Sequence, residues 1–329
     1  MTLTVIIPTY NRPDCVRENL ARLGEQAVPP EQIIVVDASP NDHTENVVEN
    51  FPHVLYLCND SARGNLPHSR NAGLRHATGE LIAFLDDDAF VHPGWAENLR
   101  ATYADEEVAG VAGRALNQQP GEERHGADRI GRFLPDGRTT GFFAADPGGI
   151  VTVDHMIGCN MSFRASVLAH LGGFRDDMRP GPFSLCEDTE ICTRAGRLGY
   201  RFVFNPAVCA DHIGAPQTGG RRFSPKYHYY HVKNNLIMIV RNHGAGALAV
   251  RHLGGIAAQA TREFVRKAGG AVLTFLCTMA GLVSGLVGGI YWLARTGDDP
   301  VRRDAAGDAI REQLRHRGAG RPTAVVHGS

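Results

Sequence analysis

The sequence predicts an α/β protein: a mostly parallel central sheet flanked by helices, with a C-terminal helical extension suited to membrane association. Three observations carry this. Short apolar runs at residues 4–7, 33–36 and 80–85 have the unbroken hydrophobicity of strands buried on both faces. Segments of helical periodicity separate them, as parallel strands joined by crossover helices require. Near the C-terminal end, residues 271–294 carry no charged side chain and are long enough to span a bilayer.

Thr4-Val5-Ile6-Ile7 is the first strand, halted at Pro8. Pro13 suits the first position of a helix capped by Asn11 or Arg12, and Val16, Leu20 and Leu23 recur on one helical face. Ile33-Ile34-Val35-Val36 is the second strand; it ends on Asp37, and a turn through Pro40-Asn41-Asp42 leads to a helix from Thr44. Residues 54–58 form a third strand. Gly64-Asn65-Leu66-Pro67 then turns into a helix over 68–75, which leads to the central strand and its terminal Asp86-Asp87-Asp88.

Val108-Ala109-Gly110-Val111-Ala112-Gly113 comes next. The Gly, Pro and Arg-rich stretch 114–149 has little periodicity and reads as a loop region without an assigned role. Residues 151–156 lead to Gly158-Cys159-Asn160-Met161-Ser162-Phe163-Arg164 and a helix over 166–171. Cys186-Glu187-Asp188-Thr189-Glu190 opens a helix bearing Ile191, Ala195 and Leu198. A strand at 201–204 and the segment 208–212 that follows bring the chain to Asp211-His212. A basic, Gly-rich loop at 217–222 and an aromatic helix beginning near Tyr227 follow. Gly244-Ala245-Gly246 imitates a dinucleotide fingerprint but lacks the framing strand and acidic partner.

Composition excludes several classes. The 329 residues are 43% hydrophobic and 21% charged, with a net charge of -1, so no overall field recruits nucleic acid. Seven cysteines without a C-x-x-C pair suggest reduced thiols in a cytosolic protein, not a disulfide or zinc framework. The opening apolar run is too short for a signal peptide, which makes the sequon Asn160-Met161-Ser162 a decoy.

Chemistry concentrates at strand ends. Three adjacent carboxylates repel one another unless solvent, hydrogen-bond donors or a cation support them. Their hard oxygens suit Mg2+ or Mn2+ beside substrate phosphates, although a solvated acidic turn would look the same. Alternation sends Asp86 and Asp88 to one side and Asp87 to the other. Asp37 could meet a base or ribose or cap its helix; Arg70 could pair with a phosphate or lie in solvent.

Val5-Ile6-Ile7-Pro8-Thr9-Tyr10-Asn11-Arg12, Val35-Val36-Asp37-Ala38-Ser39, Ser69-Arg70-Asn71-Ala72-Gly73 and Phe84-Leu85-Asp86-Asp87-Asp88 resemble, in that order, the nucleotide-sugar half of the family 2 glycosyltransferases. The resemblance covers residues 3–242. It implies a GT-A fold with a Rossmann-like sheet, and inverting transfer of a sugar from a nucleotide-diphosphate sugar, UDP by default, to an acceptor hydroxyl in envelope polysaccharide or glycoconjugate synthesis. It assigns the donor to Pro8, Thr9, Tyr10, Asn11, Arg12, Asp37, Arg70, Asp86, Asp87 and Asn160. A Mn2+ or Mg2+ ion falls to Asp88 and His212, and the Glu187-Asp188 pair supplies Asp188 as general base.

Residues 1–242 are then the catalytic domain, divided near 113 into a donor and an acceptor half. Residues 243–296 form a helical region and 297–329 a weakly ordered tail in which 305–314 can be helical. The acceptor is a saccharide, a lipid-linked saccharide or a small molecule, and the location the cytoplasmic face of the cell membrane, reached through 271–294. Two rivals stand beside this reading. A sugar-phosphate nucleotidyltransferase would want early glycines that residues 8–13 lack. A noncatalytic nucleotide-sugar or polysaccharide-binding module would have no need of Asp188.

Overall fold

The computed structural model describes residues 1–59, 65–177, 186–214, 224–266 and 272–315. Four parallel strands, β1 (Leu3–Thr9), β2 (Gln32–Asp37), β3 (Val54–Cys58) and β4 (Leu81–Leu85), form one half of a sheet in the order β3-β2-β1-β4. The sheet continues through β8 (Asn160–Arg164), β6 (Val108–Leu116) and β9 (Arg201–His212). On β9, β5 (Ala89–Val91) and β7 (Val151–Val153) pair at opposite ends. Strand β8 runs antiparallel to β4 and β6, while β6 and β9 are parallel. The predicted strand at 201–204 and the segment 208–212 are thus one strand, with a register shift opposite Gly113 and Arg114.

Strand alternation builds a core on each face. Leu3, Val5 and Ile7 meet α1 (Pro13–Gly24) through Val16, Leu20 and Leu23, and α4 (Trp95–Thr102) through Trp95 and Leu99. On the other face Ile6, Ile82 and Phe84 pack with Ala72 and Leu74 of α3 (Leu66–Leu74), Leu168 of α5 (Ala165–Leu171) and Ile191 of α6 (Glu187–Arg197). The short α2 (His43–Val48) adds Val47 and Val48 to the first face. The loop region 114–149 contributes Ile130, Phe143 and Ala145 to the second core, so its lack of periodicity hid buried anchors.

A third cluster joins α7 (Pro225–His243), α8 (Ala247–Arg266) and α9 (Val272–Thr296). Gly281, Gly285 and Gly289 let α9 lie directly on α7: a Cβ at each would stand 2.7 Å from Tyr229 O, 2.8 Å from Lys233 O and 2.7 Å from Val240 Cβ. Among the described residues α9 alone is long and apolar enough to cross a membrane, with a mean hydropathy of 1.8.

The stretch expected to be a weakly ordered tail is docked as far as residue 315. Arg197, Arg175 and Arg194 donate to the carbonyls of Asp298, Asp299 and Pro300. Arg302 pairs with Asp176 at 2.9 Å, and α10 (Ala305–Leu314) buries Ile310 and Leu314 in the main core. Buried guanidinium groups need acceptors, and this segment supplies backbone carbonyls that composition does not reveal. Residues 316–329 and the loop 217–222 lie outside the described residues.

Candidate active site

Strands β1, β2 and β4 end together, and the carboxyl ends of open α/β sheets are where ligands bind. From β1, Thr9 donates its hydroxyl to Asp87 at 2.7 Å. Arg12, just before α1, reaches Asp87 at 2.8 Å and Asp88 at 3.3 Å. Burial pushes the Asp87 carboxyl up to about 7, and Arg12 opposes that shift. Asp87 is thereby an internal brace. Asn19, one position before Leu20 in the apolar stripe of α1, donates to the carbonyls of Asp86 at 3.0 Å and Ala89 at 3.1 Å. Sequence reading missed it; a buried amide within an apolar stripe was the available signal.

Asp86 and Asp88 face His212 instead, the last residue of β9, brought alongside by the pairing of Ala89 with His212. One ligand atom from each lies within 4.8 Å of the others, and His212 Nε2 stands 3.5 Å from Asp88. An octahedral ion with bonds of about 2.1 Å spaces its donors by roughly 3 to 4 Å, so two carboxylates and an imidazole here fit a divalent cation. Burial disfavours the imidazolium of His212, yet Cys159, Asp88 and Asp86 push its pKa up to about 11. Asp86, expected on the donor, also lies within reach of Asp88 and His212 in this group.

Arg70 connects that group to the second cluster. Fully buried on α3, it donates to Asp86 at 3.3 Å, Gly158 O at 3.0 Å and Glu187 at 3.1 Å. Glu187 is pushed up to about 7 by burial and by Asp188, against the pull of Arg70. Asp188 accepts the backbone N–H groups of Gly158 at 2.9 Å and Thr189 at 2.6 Å, which fixes its orientation. A Cβ on Gly158 would stand 3.0 Å from Arg70 and 3.2 Å from Asp188, so glycine allows this convergence.

Two residues expected on the donor, Asn160 and Asp37, hydrogen-bond to the protein itself, Asp37 beside Thr9 at the end of β2. Asn160 is 1% exposed and satisfied inside the sheet, donating to Arg114 O and Val208 O and accepting from Trp95 Nε1 at 3.0 Å. Its amide is structural, because β8 lies between β4 and β6 and turns this side chain into the core. Asp37 is also 1% exposed; it accepts from the backbone and hydroxyl of Ser39 and from Tyr56 at 3.1 Å. Its carboxylate holds the turn after β2. Pro8 is buried at the end of β1, and Tyr10 and Asn11 lie in the loop beyond it, where Asn11 takes a φ of 56° and its N–H meets Ser39 Oγ at 2.7 Å.

The family model for glycosyl transferase family 2 matches residues 4–172, just over half of the chain. The chain belongs to this family. Its family 2 segment ends before Glu187, so the second cluster lies beyond the matched residues. A glucosyl-dolichyl phosphate glucuronosyltransferase of Haloferax volcanii is 26% identical over 234 residues, 64% of this chain and 69% of that protein. A pre-mycofactocin glycosyltransferase of Mycobacterium tuberculosis is 28% identical over 218 residues, but the match spans only 42% of its length. Among solved structures, the mannosyltransferase PcManGT from Pyrobaculum calidifontis in complex with GDP-Man and Mn2+ has a TM-score of 0.54 and 21% identity, covering 88% of this chain and 87% of that one. S. aureus TarS 1-349 in complex with UDP-GlcNAc has a TM-score of 0.56 and 16% identity, covering 96% and 92%. These likenesses establish the GT-A fold.

Proposed function

We propose that the protein transfers a sugar from a nucleotide-diphosphate sugar to an acceptor hydroxyl, with inversion at the anomeric carbon. The observation that supports this is the link made by Arg70 between the Asp86, Asp88 and His212 group and the Glu187-Asp188 pair. Asp86, Asp88 and His212 would hold Mn2+ or Mg2+, which supplies charge stabilisation for the departing diphosphate. Asp188 accepts the acceptor's proton as its oxygen bonds to the anomeric carbon; the bond from that carbon to the diphosphate breaks, and its electron pair leaves with the diphosphate. No second acid is needed, which separates this arrangement from a hydrolytic carboxyl pair.

UDP is the first donor to test, and GDP and dTDP sugars come next. The outer side of α9 exposes Val283 and Val287, 66% and 64% accessible, which supports association with a membrane; the cytoplasmic face and a role in envelope glycoconjugate synthesis are part of the same proposal. Because α9 is packed along α7, itself tied to the catalytic body through Arg241 and Asp177, the helix lies along the interface in this reading.

A thermal-shift screen of UDP, GDP, dTDP and their sugars, with and without Mn2+, tests the donor site. One selective, Mn2+-dependent shift is expected; no shift in folded protein overturns the reading. Asp188→Asn should lower turnover about 10²- to 10⁴-fold, the usual range for a general base, with donor binding retained. Retained turnover would remove Asp188 from its role.

A further inference from the structure

A cavity of about 310 Å³ lies where α7, α8 and α9 meet residues 134–139, outside the carboxylate site. A short hairpin closed by Phe133 and Thr139 forms one wall and is tied to α8 by a hydrogen bond from Arg138 to Gln259 at 2.9 Å. Val232, Ile256, Phe264 and Phe275 give the cavity apolar sides, and three histidines, His228, His231 and His252, face it.

His252 states what kind of ligand suits it. The ring is 1% exposed, and its Nδ1 stands 3.1 Å from the carbonyl oxygen of Asp136. A carbonyl only accepts, so Nδ1 carries the proton. Burial lowers the pKa of this histidine and keeps it neutral, so Nε2 presents a bare lone pair. Among the described residues that nitrogen has no hydrogen-bond partner. A buried acceptor without a donor is costly, and a hydroxyl would satisfy it whereas an anion would be repelled.

The charges on the wall agree. Arg138 is already paired with Asp136 at 2.7 Å, and Glu263 accepts from Gln259 at 3.2 Å. Burial pushes His231 down to about 4, with His228 and His252 adding to the shift, so it too is neutral. Thr193 of α6 stands 3.7 Å from the Met238 sulfur of α7, so the helix that opens with Glu187 and Asp188 packs on the helix that lines the cavity. At the other end Phe275 is followed by Leu276, 55% exposed on the outer side of α9.

Resting on the transferase reading above, we propose that this cavity binds the uncharged, hydroxyl-bearing part of an amphipathic acceptor. The acceptor's apolar portion runs along Phe264 and Phe275 toward the exposed side of α9, and its reacting hydroxyl points to Asp188. The acceptor hydroxyl next to the apolar body donates to His252 Nε2.

Calorimetric titration of the full chain with octyl β-glucoside below its micelle concentration tests this. Methyl β-glucoside, octyl phosphate and the variant Ala260→Trp, which fills the cavity, serve as comparisons. Saturable binding of octyl β-glucoside is expected, at least about tenfold tighter than either comparison ligand and at least about tenfold weaker in Ala260→Trp. Should Ala260→Trp not fold, Thr274→Trp at the half-buried rim decides in its place. Equal binding to wild type and variant would put the probe on the outer side of α9 and overturn the proposal. Tighter binding of octyl phosphate, or no saturable binding, would overturn it as well. Mn2+-dependent nucleotide binding in the same samples separates the two readings: its retention leaves the donor site standing if the cavity fails, and its absence in wild type defeats the transferase reading itself.

Discussion

Arg70 and Glu187, 117 positions apart in the chain, meet at 3.1 Å with side chains 1% and 8% exposed. The pair joins the α3 side of the parallel half of the sheet to the helix that carries Asp188. At pH 8 or above, where Glu187 is ionised, Arg70→Ala would leave a buried carboxylate without its cation, and the expected loss of stability is about 3–5 kcal/mol. Adding Glu187→Gln should recover part of it, because an amide needs no counter-charge. Chemical denaturation of the three proteins decides; a loss under about 1 kcal/mol for the single variant would contradict this coupling.

Glu187 also sets a pH dependence. Its pKa rises from an ordinary 4.5 to about 7 in the folded chain, chiefly through burial. Between those values the folded protein holds a proton that the unfolded chain has released. The contribution is therefore full below about pH 4.5 and is lost as pH rises through about 7. In metal-free protein, wild type should lose about 1–3 kcal/mol over this window relative to Glu187→Gln. Parallel stability curves for the two would remove Glu187 as the cause.

The cation group gives a separable prediction. His212→Ala and Asp88→Asn should each weaken Mn2+ binding by at least about tenfold, since the first removes a donor atom from the group and the second its negative charge. Both should also erase the Mn2+ dependence of nucleotide binding. Titration followed by electron paramagnetic resonance reads the free ion directly, and unchanged affinity in either variant would exclude that residue as a ligand.

The two sides of α9 should respond in opposite ways. A Cβ on Gly285 would stand 2.8 Å from Lys233 O and 2.9 Å from Leu236 Cβ, so Gly285→Val forces the helices apart at a cost of about 1–3 kcal/mol. Val287→Ser, on the exposed side, should change stability by no more than about 0.5 kcal/mol while lowering sedimentation with liposomes. Undiminished liposome binding in Val287→Ser would speak against α9 as the membrane-facing element.

Much of the fold was legible because it is local. Apolar runs such as Thr4-Val5-Ile6-Ile7 admit little besides a buried strand, Pro13 marks a helix start, and four ordered stretches resembling family 2 placed Asp86-Asp87-Asp88 at a strand end. The long-range placements were not legible. Asn160 and Asp37 carry donor-binding side-chain types, yet neighbouring strands bury them, and a polar group buried by tertiary packing must spend its hydrogen bonds on the protein. The docked segment after α9 escaped notice for the same reason, since its contacts are backbone carbonyls meeting arginines more than a hundred positions away. Sequence by itself determined which residues could bear charge at the ends of strands. Only the tertiary structure decided which of those charges face a common space, because Coulomb and hydrogen-bond energies depend on distances that chain order does not encode.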